Sequence, residues 1–178
     1  MAVETRGLAR SFRYEVRIED FGTIGFNSVS GIGDESDGIE YREGDDTDVM
    51  HEYDGLISLN EVDMEKGIAT ANRQDLINLY KWRYAGSVGG DVVTVNGQAI
   101  NVADESSENV EDRRWVEVIS KDENNRPMTG FKLKDCSCRA LEISDFDSES
   151  SDVLISTFTV KPEGMDITVL GEQPNQEL

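Results

Sequence analysis

Apolar and polar residues alternate at period two along much of the chain, the signature of strands buried on one face. Phe12, Tyr14, Val16 and Ile18 alternate with Arg13, Glu15, Arg17 and Glu19. Gly22 marks a turn, Ile24, Phe26 and Val29 open a second strand that ends at Gly31 and Gly33, and Ile39 and Tyr41 begin a third. The stretch Leu56 to Met64 alternates again. Between Asn72 and Ala85 the spacing changes to three and four, with Leu76, Leu79, Tyr80 and Arg83 recurring. This predicts a helix over about 73–85, with Asn72 as N-cap and Gly86 as its stop. Asn96-Gly97 between Asp91–Val95 and Ile100–Val102 predicts a hairpin, because that dipeptide accepts positive φ at little cost. Trp115 to Ile119, Phe131 with Leu133, Cys136 to Ile143 and Val153 to Val160 supply the last strands.

Eight or nine strands and one helix predict a mainly β fold, a β-barrel or sandwich of about eight strands with one flanking α-helix. With 178 residues the chain suits one core. A single domain is expected over residues 1–165, followed over 166–178 by a strand end and a loose tail. The open edges of such a sheet are natural sites for joining identical subunits.

Charge sharpens the picture. Seventeen Lys and Arg face 37 Asp and Glu, a formal net charge of −20, which argues against a protein that grips nucleic acid through phosphate contacts. The excess is concentrated: residues 1–30 are neutral, whereas residues 31–70 carry two basic and thirteen acidic side chains. An acidic, solvated loop is expected over about 34–54. It has three readings: a solubilising or salt-adapted surface, a calcium loop, or a surface that repels polyanions. Calcium fits poorly, because an EF-hand needs Gly at its sixth position and Glu at its twelfth. Gly38 as sixth puts Gly33 first and Gly44 twelfth; Gly55 as sixth puts Glu61 correctly at twelfth but Met50 first, where an oxygen ligand is needed.

Candidate chemistry is sparse. His51 is the only histidine and no G-x-S-x-G accompanies it. Cys136 and Cys138 stand as C-x-C, which neither builds a zinc site nor a disulfide framework. They read as small core residues, with pairing to another subunit as the alternative. No phosphate-binding glycine motif occurs, so neither an enzyme nor a cofactor is expected. Without a run of about 18 apolar residues or a secretory signal, the chain reads as soluble and made in the cytoplasm.

Several segments, in order, resemble the tail tube proteins of contractile phage tails and related injection machines. Gly25-Phe26 followed by Val29-Ser30-Gly31 is similar to that family's GF-x-x-VSG element, and Glu40-Tyr41-Arg42-Glu43-Gly44 to its EYREG stretch. Ile57 to Leu59, Lys66-Gly67, the helix with Leu76, Leu79, Tyr80 and Trp82, Trp115, and Val160 to Met165 follow at matching places, so the likeness spans about residues 10–165. The family's Leu-Pro-Gly is replaced by Tyr53-Asp54-Gly55, and its Asn-Ala-Trp-Pro element is missing.

The resemblance implies a structural subunit of a virus tail tube: hexameric rings, a continuous inner barrel, and stacking around a channel for the genome. The implied partners are further copies of the chain, a tail sheath protein, a baseplate hub and a tape measure protein, with DNA passing unbound and no membrane contact. The implied place is the virion tail, assembled in the host cytoplasm. It also implies a ring-to-ring contact loop holding Glu40, Tyr41, Arg42, Glu43, Gly44, Asp45, Asp46 and Asp48. Two other readings stay open at this point: a tube of a phage-derived protein-injecting particle or secretion ring, and a calcium-dependent β-sandwich binding module.

Overall fold

One long strand organises the molecule. The computed structural model describes residues 11, 13–41, 51–85, 93–99, 113–148 and 152–169. Within them the two apolar runs around Leu133 and Cys138 merge into a single 17-residue strand, β10 (Pro127–Ile143). The break between the runs survives as a bend: Asp135 has φ 49°, and the pairing register shifts between Leu133 and Cys136 and again between Cys138 and Ala140. Each shift adds a residue to one strand, which bends it and raises its twist.

The bend lets β10 serve two sheets. Its first half pairs with β9 (Arg114–Lys121) on one side and β12 (Gly164–Val169) on the other, and its second half pairs with β11 (Ile155–Lys161). Because Lys161 stands opposite Ser137 and Gly164 opposite Lys134, β11 and β12 run one after the other along the same side of β10. The first sheet continues from β9 through β1 (Tyr14–Ile18) to β2 (Gly22–Ile24). The second continues from β11 through β6 (Val62–Gly67) to β3 (Ser28–Ser30). All these pairings are antiparallel.

Strand parity then delivers the core. Val16, Ile18, Ile24, Val116, Val118 and Leu133 from the first sheet meet Val62, Met64, Phe158 and Val160 from the second, all buried. The segment read as one strand from Ile24 to Val29 is two. It crosses between sheets at Gly25–Asn27, so Ile24 serves the first sheet and Val29 the second. Gly31 follows with φ +87°, and a Cβ there would lie 2.3 Å from the Glu61 carbonyl oxygen, so that position of the VSG element requires glycine.

The helix α1 (Arg73–Tyr84) lies against β10 and buries Leu76, Leu79 and Trp82. Trp82, not Arg83, completes the buried stripe, with its ring edge-on to Phe21 at 6.3 Å. Tyr80 stacks at a tilt on Phe158, 5.7 Å away, and its hydroxyl shares a 2.9 Å hydrogen bond with Ser156. Asn72 holds the N-cap place without capping by its side chain. That side chain instead accepts from the Ala69 N–H and donates to the Gly67 carbonyl, fastening the helix to the end of β6.

The acidic segment is corrected from loop to hairpin on both flanks: β4 (Asp34–Tyr41) pairs with β5 (His51–Leu59). The stretch read as one strand from Leu56 to Met64 therefore breaks at Asn60–Glu61 into β5 and β6. At Asn96-Gly97 the expected hairpin is present, with β7 (Thr94–Val95) against β8 (Gln98–Ala99) and φ of 53° and 79°. Phe12, Gly86 and the tail after Val169 lie outside the described residues. Truncating Trp82 to Ala should cost about 3 to 5 kcal/mol, the usual loss for a buried aromatic, measured as a lower denaturation midpoint at unchanged slope.

Candidate assembly surfaces

Within the described residues no group of three or more His, Cys, Asp or Glu is placed to hold a metal, and no helix is long and apolar enough to cross a membrane. Cys136 is fully buried and Cys138 partly so, both free and both packed in or against the core. Burial pushes each thiol up to about 12, so both stay protonated and inert within the subunit. His51 opens β5 opposite Tyr41, and Glu40 stands opposite Glu52 in the same ladder. Arg42, Glu43, Gly44, Asp45, Asp46 and Asp48 of the expected contact loop lie outside the described residues.

The informative surface is apolar and uncovered. On β5, Leu56 is 88% exposed and its neighbour Ile57 is 70% exposed. Adjacent strand residues point to opposite faces, so neither face of this hairpin is covered within the subunit. A two-stranded hairpin is marginal by itself in water. Gly55 keeps the arm narrow, since a Cβ there would lie 1.9 Å from the Asp37 carbonyl oxygen. On β12, Ile167 and Val169 are exposed, on the side that further along carries Met165 towards the core. Phe146 and Val153 are exposed in the connection between β10 and β11. At one mouth of the sandwich an open groove of about 540 Å³ is lined by Tyr14, Phe26, Val29, Ile32 and Val118. Sequence reading found none of these surfaces, because it cannot separate an apolar residue that is covered from one that overhangs.

The outward face of the first sheet is polar and ion-paired. Across its strands the register aligns Thr23, Arg17, Glu117, Lys132 and Asp166 in one row, with the charged residues alternating in sign. Glu15 accepts hydrogen bonds from Lys121 at 2.5 Å, Arg17 at 2.7 Å and Thr23 at 3.2 Å. Lys134 pairs with Asp166 at 2.6 Å, and the Lys132 ammonium sits 4.8 Å over the Trp115 ring. Such cross-strand pairs stabilise the sheet locally.

A different use of charge holds the sheets together. Lys66 of β6 is buried, donates to the Gly25 carbonyl at 2.5 Å, lies 5.5 Å from the Phe26 ring centre and 3.6 Å from Asp75 on α1. It therefore ties the crossing between the sheets to the helix, which gives a physical role to the Lys66-Gly67 and Gly25-Phe26 elements.

Residues 10–166 match the family described as T4-like virus tail tube protein gp19. The chain belongs to that tail tube family. Its fold is similar to a chain of an extracellular contractile injection system, the PVC sheath–tube complex in the extended state, with TM-score 0.68 and 18% identity over 93% of this chain and 95% of that one. It is similar also to a chain of the six-fold symmetrised anti-feeding prophage baseplate, with TM-score 0.69 and 17% identity over 95% and 98%. A type six secretion system protein matches less closely, with TM-score 0.51 and 9% identity over 92% and 87%. No curated protein sequence matches. The tail tube protein is a structural tube subunit, and the mainly β fold with one helix is the one its resemblance implies.

Glu15 yields a pH test for the tail tube subunit. Hydrogen bonds from Lys121 and then Arg17 lower its carboxyl from 4.5 to about 2. The ionised form is thus favoured by folding, so its contribution is complete above the unfolded value and is lost as pH falls through 4.5 towards 2. Glu15→Gln should flatten that part of the acid unfolding profile, read by circular dichroism, while leaving its shape above about pH 5 unchanged.

Proposed function

We propose that the protein forms hexameric rings that stack, inside a contractile sheath and from a baseplate, into the tube through which a virus genome passes. Family membership makes it a tube subunit, and the observation that carries the assembly is the set of uncovered apolar residues on β5 and β12. Apolar residues on a free strand edge are a liability in a monomer and an interface in an oligomer. The partners in this reading are further copies of the chain, the sheath protein, the baseplate hub and the tape measure protein. The tube's role is structural rather than enzymatic.

The hairpin β4–β5 is the element suited to reach a neighbouring ring. It forms a sheet of its own, separate from the two core sheets, and carries Leu56 and Ile57 beside Asp34, Glu35 and Asp37. In this reading Glu40 to Asp48 form the region of contact between rings. The chain's net charge of −20 suits the transit of DNA, which bears about one negative charge per 1.7 Å of duplex. Negative-stain electron microscopy of the purified protein, across protein and salt concentration, should show rings or hollow tubes with six-fold end views. A persistent monomer under all conditions, with or without isolated baseplates, would overturn the reading.

The hairpin role has its own check. Leu56→Glu with Ile57→Glu should leave monomer stability within about 0.5 kcal/mol, as for other exposed positions. Stacked tubes should be replaced by single rings, counted in the same images. Tubes of normal length would assign the ring-to-ring contact elsewhere.

A further inference from the structure

We propose that stacking of this subunit is gated by ionic strength: the two surfaces that meet are apolar patches set among carboxylates, so copies join only where salt screens one from the other. This rests on the tube reading above and adds to it a receiving surface and a condition for contact.

The second sheet has two ends, and each carries an uncovered apolar patch. At one end Ser30 stands opposite Asp63 and Val62 opposite Val160. The β4–β5 hairpin is rooted there, where the Asn60 N–H donates to the Gly33 carbonyl at 3.0 Å. Leu56 and Ile57 lie four and three residues before Asn60. At the other end Gly67 stands opposite Ile155 and Ile143 opposite Ser156. The connection from β10 to β11 leaves there, with Phe146 84% and Val153 63% exposed beside an open hollow of about 1010 Å³ that Leu154 and Ile155 also line. From Val62 to Gly67 the strand covers about 17 Å, which sets the two patches apart. A head-to-tail stack places one end of each copy on the opposite end of the next. The Leu56–Ile57 arm of one copy then seats in the hollow at Phe146 and Val153 of another, and both patches are removed from water.

The charge around both patches has one sign. The hairpin strands, residues 34–41 and 51–59, hold six Asp or Glu and no Lys or Arg, and residues 144–154 hold four Asp or Glu and no Lys or Arg. Asp34, Glu35 and Asp37 are exposed at the first patch, and Asp145, Asp147 and Asp152 at the second. Elsewhere the chain pairs its charges, as Glu15 with Lys121 and Asp166 with Lys134, so composition alone does not account for the one-sided charge at these ends. A joint made of opposite charges is weakened by salt. Here apolar contact attracts and like charge repels, and only the repulsion is screened. The distance over which charge acts falls from about 30 Å at 0.01 M salt to about 8 Å at 0.15 M and about 3 Å at 1 M. In dilute salt the carboxylates of the arm act across the whole hollow; in concentrated salt they act barely beyond contact.

The critical protein concentration for tube formation, measured by sedimentation and checked in negative-stain images, should fall about tenfold or more as NaCl rises from about 0.02 M to about 1 M. Magnesium chloride at matched ionic strength should act no better. Asp145→Asn with Asp147→Asn, and separately Glu35→Gln with Asp37→Asn, should assemble in dilute salt and flatten the dependence. These positions are exposed, and circular dichroism melting of each variant at each salt concentration separates folding from assembly. Phe146→Ser should prevent stacking at every salt concentration and leave single rings. A critical concentration that rises with salt, or stays level, overturns the gate. So does a salt response that the neutralised variants retain in full, which is general salting-out, and so does assembly triggered by magnesium well below the matched ionic strength, which is cation bridging. Normal tubes from Phe146→Ser overturn the receiving surface. Absence of rings and tubes from the wild-type protein under every condition overturns the tube reading itself.

Discussion

The bend in β10 is the constraint on which the rest of the structure depends. A straight 17-residue strand would belong to one sheet, and its alternation would send every second residue to the same side throughout. With Asp135 at positive φ and two register shifts beside it, the first half faces β9 and β12 and the second half faces β11. The strands β11 and β12 follow one another past the bend on the same side of β10. The two sheets thus share a strand and enclose a core between them. That core is closed by Leu76, Leu79 and Trp82 of the helix, and the helix is itself tied to the sheet crossing through Lys66.

The same arrangement explains where the subunit is unfinished. A shared strand joins two open sheets and seals neither, so among the described residues edges remain at β2, β3 and β12. The β4–β5 hairpin stands as a separate sheet. Exposed Leu56, Ile57, Ile167 and Val169 lie on those unfinished parts, whereas the outward face of the first sheet is ion-paired and complete. Covering apolar area stabilises an assembly by about 25 cal/mol for each Å² removed from water. Carboxylates at high density resist burial unless paired. A protein of net charge −20 can therefore associate through its apolar overhangs while leaving most of its charge in solvent.

Much of the fold was legible because alternation is a local property of strands. The strands around Val16, Met64, Val118 and Phe158, the helix near Leu79 and the Asn96-Gly97 turn all follow from side-chain period and turn chemistry. Alternation joins Ile24 to Val29 and Leu56 to Met64 because a sheet crossing or a turn between sheets changes the partner and leaves little local mark, and it divides β10 because each register shift puts an extra residue into the strand and breaks the period. The acidic flanks were read as loop because their polarity hides a ladder made of backbone bonds. In the short element Val29-Ser30-Gly31, the left-handed glycine against the Glu61 carbonyl is a steric necessity that the sequence records.

By itself, then, the sequence determined the strand-rich class, the single helix, the concentration of negative charge and the family. Each is a sum over neighbours in the chain or a short ordered pattern. Only the tertiary structure decided which strands share a sheet, which apolar residues overhang and which carboxylates are held by hydroxyls. Those outcomes depend on pairing between residues as distant as Ser28 and Glu65 or Asp63 and Thr159. Such contacts are selected by the closing of the whole core, and no local pattern encodes them.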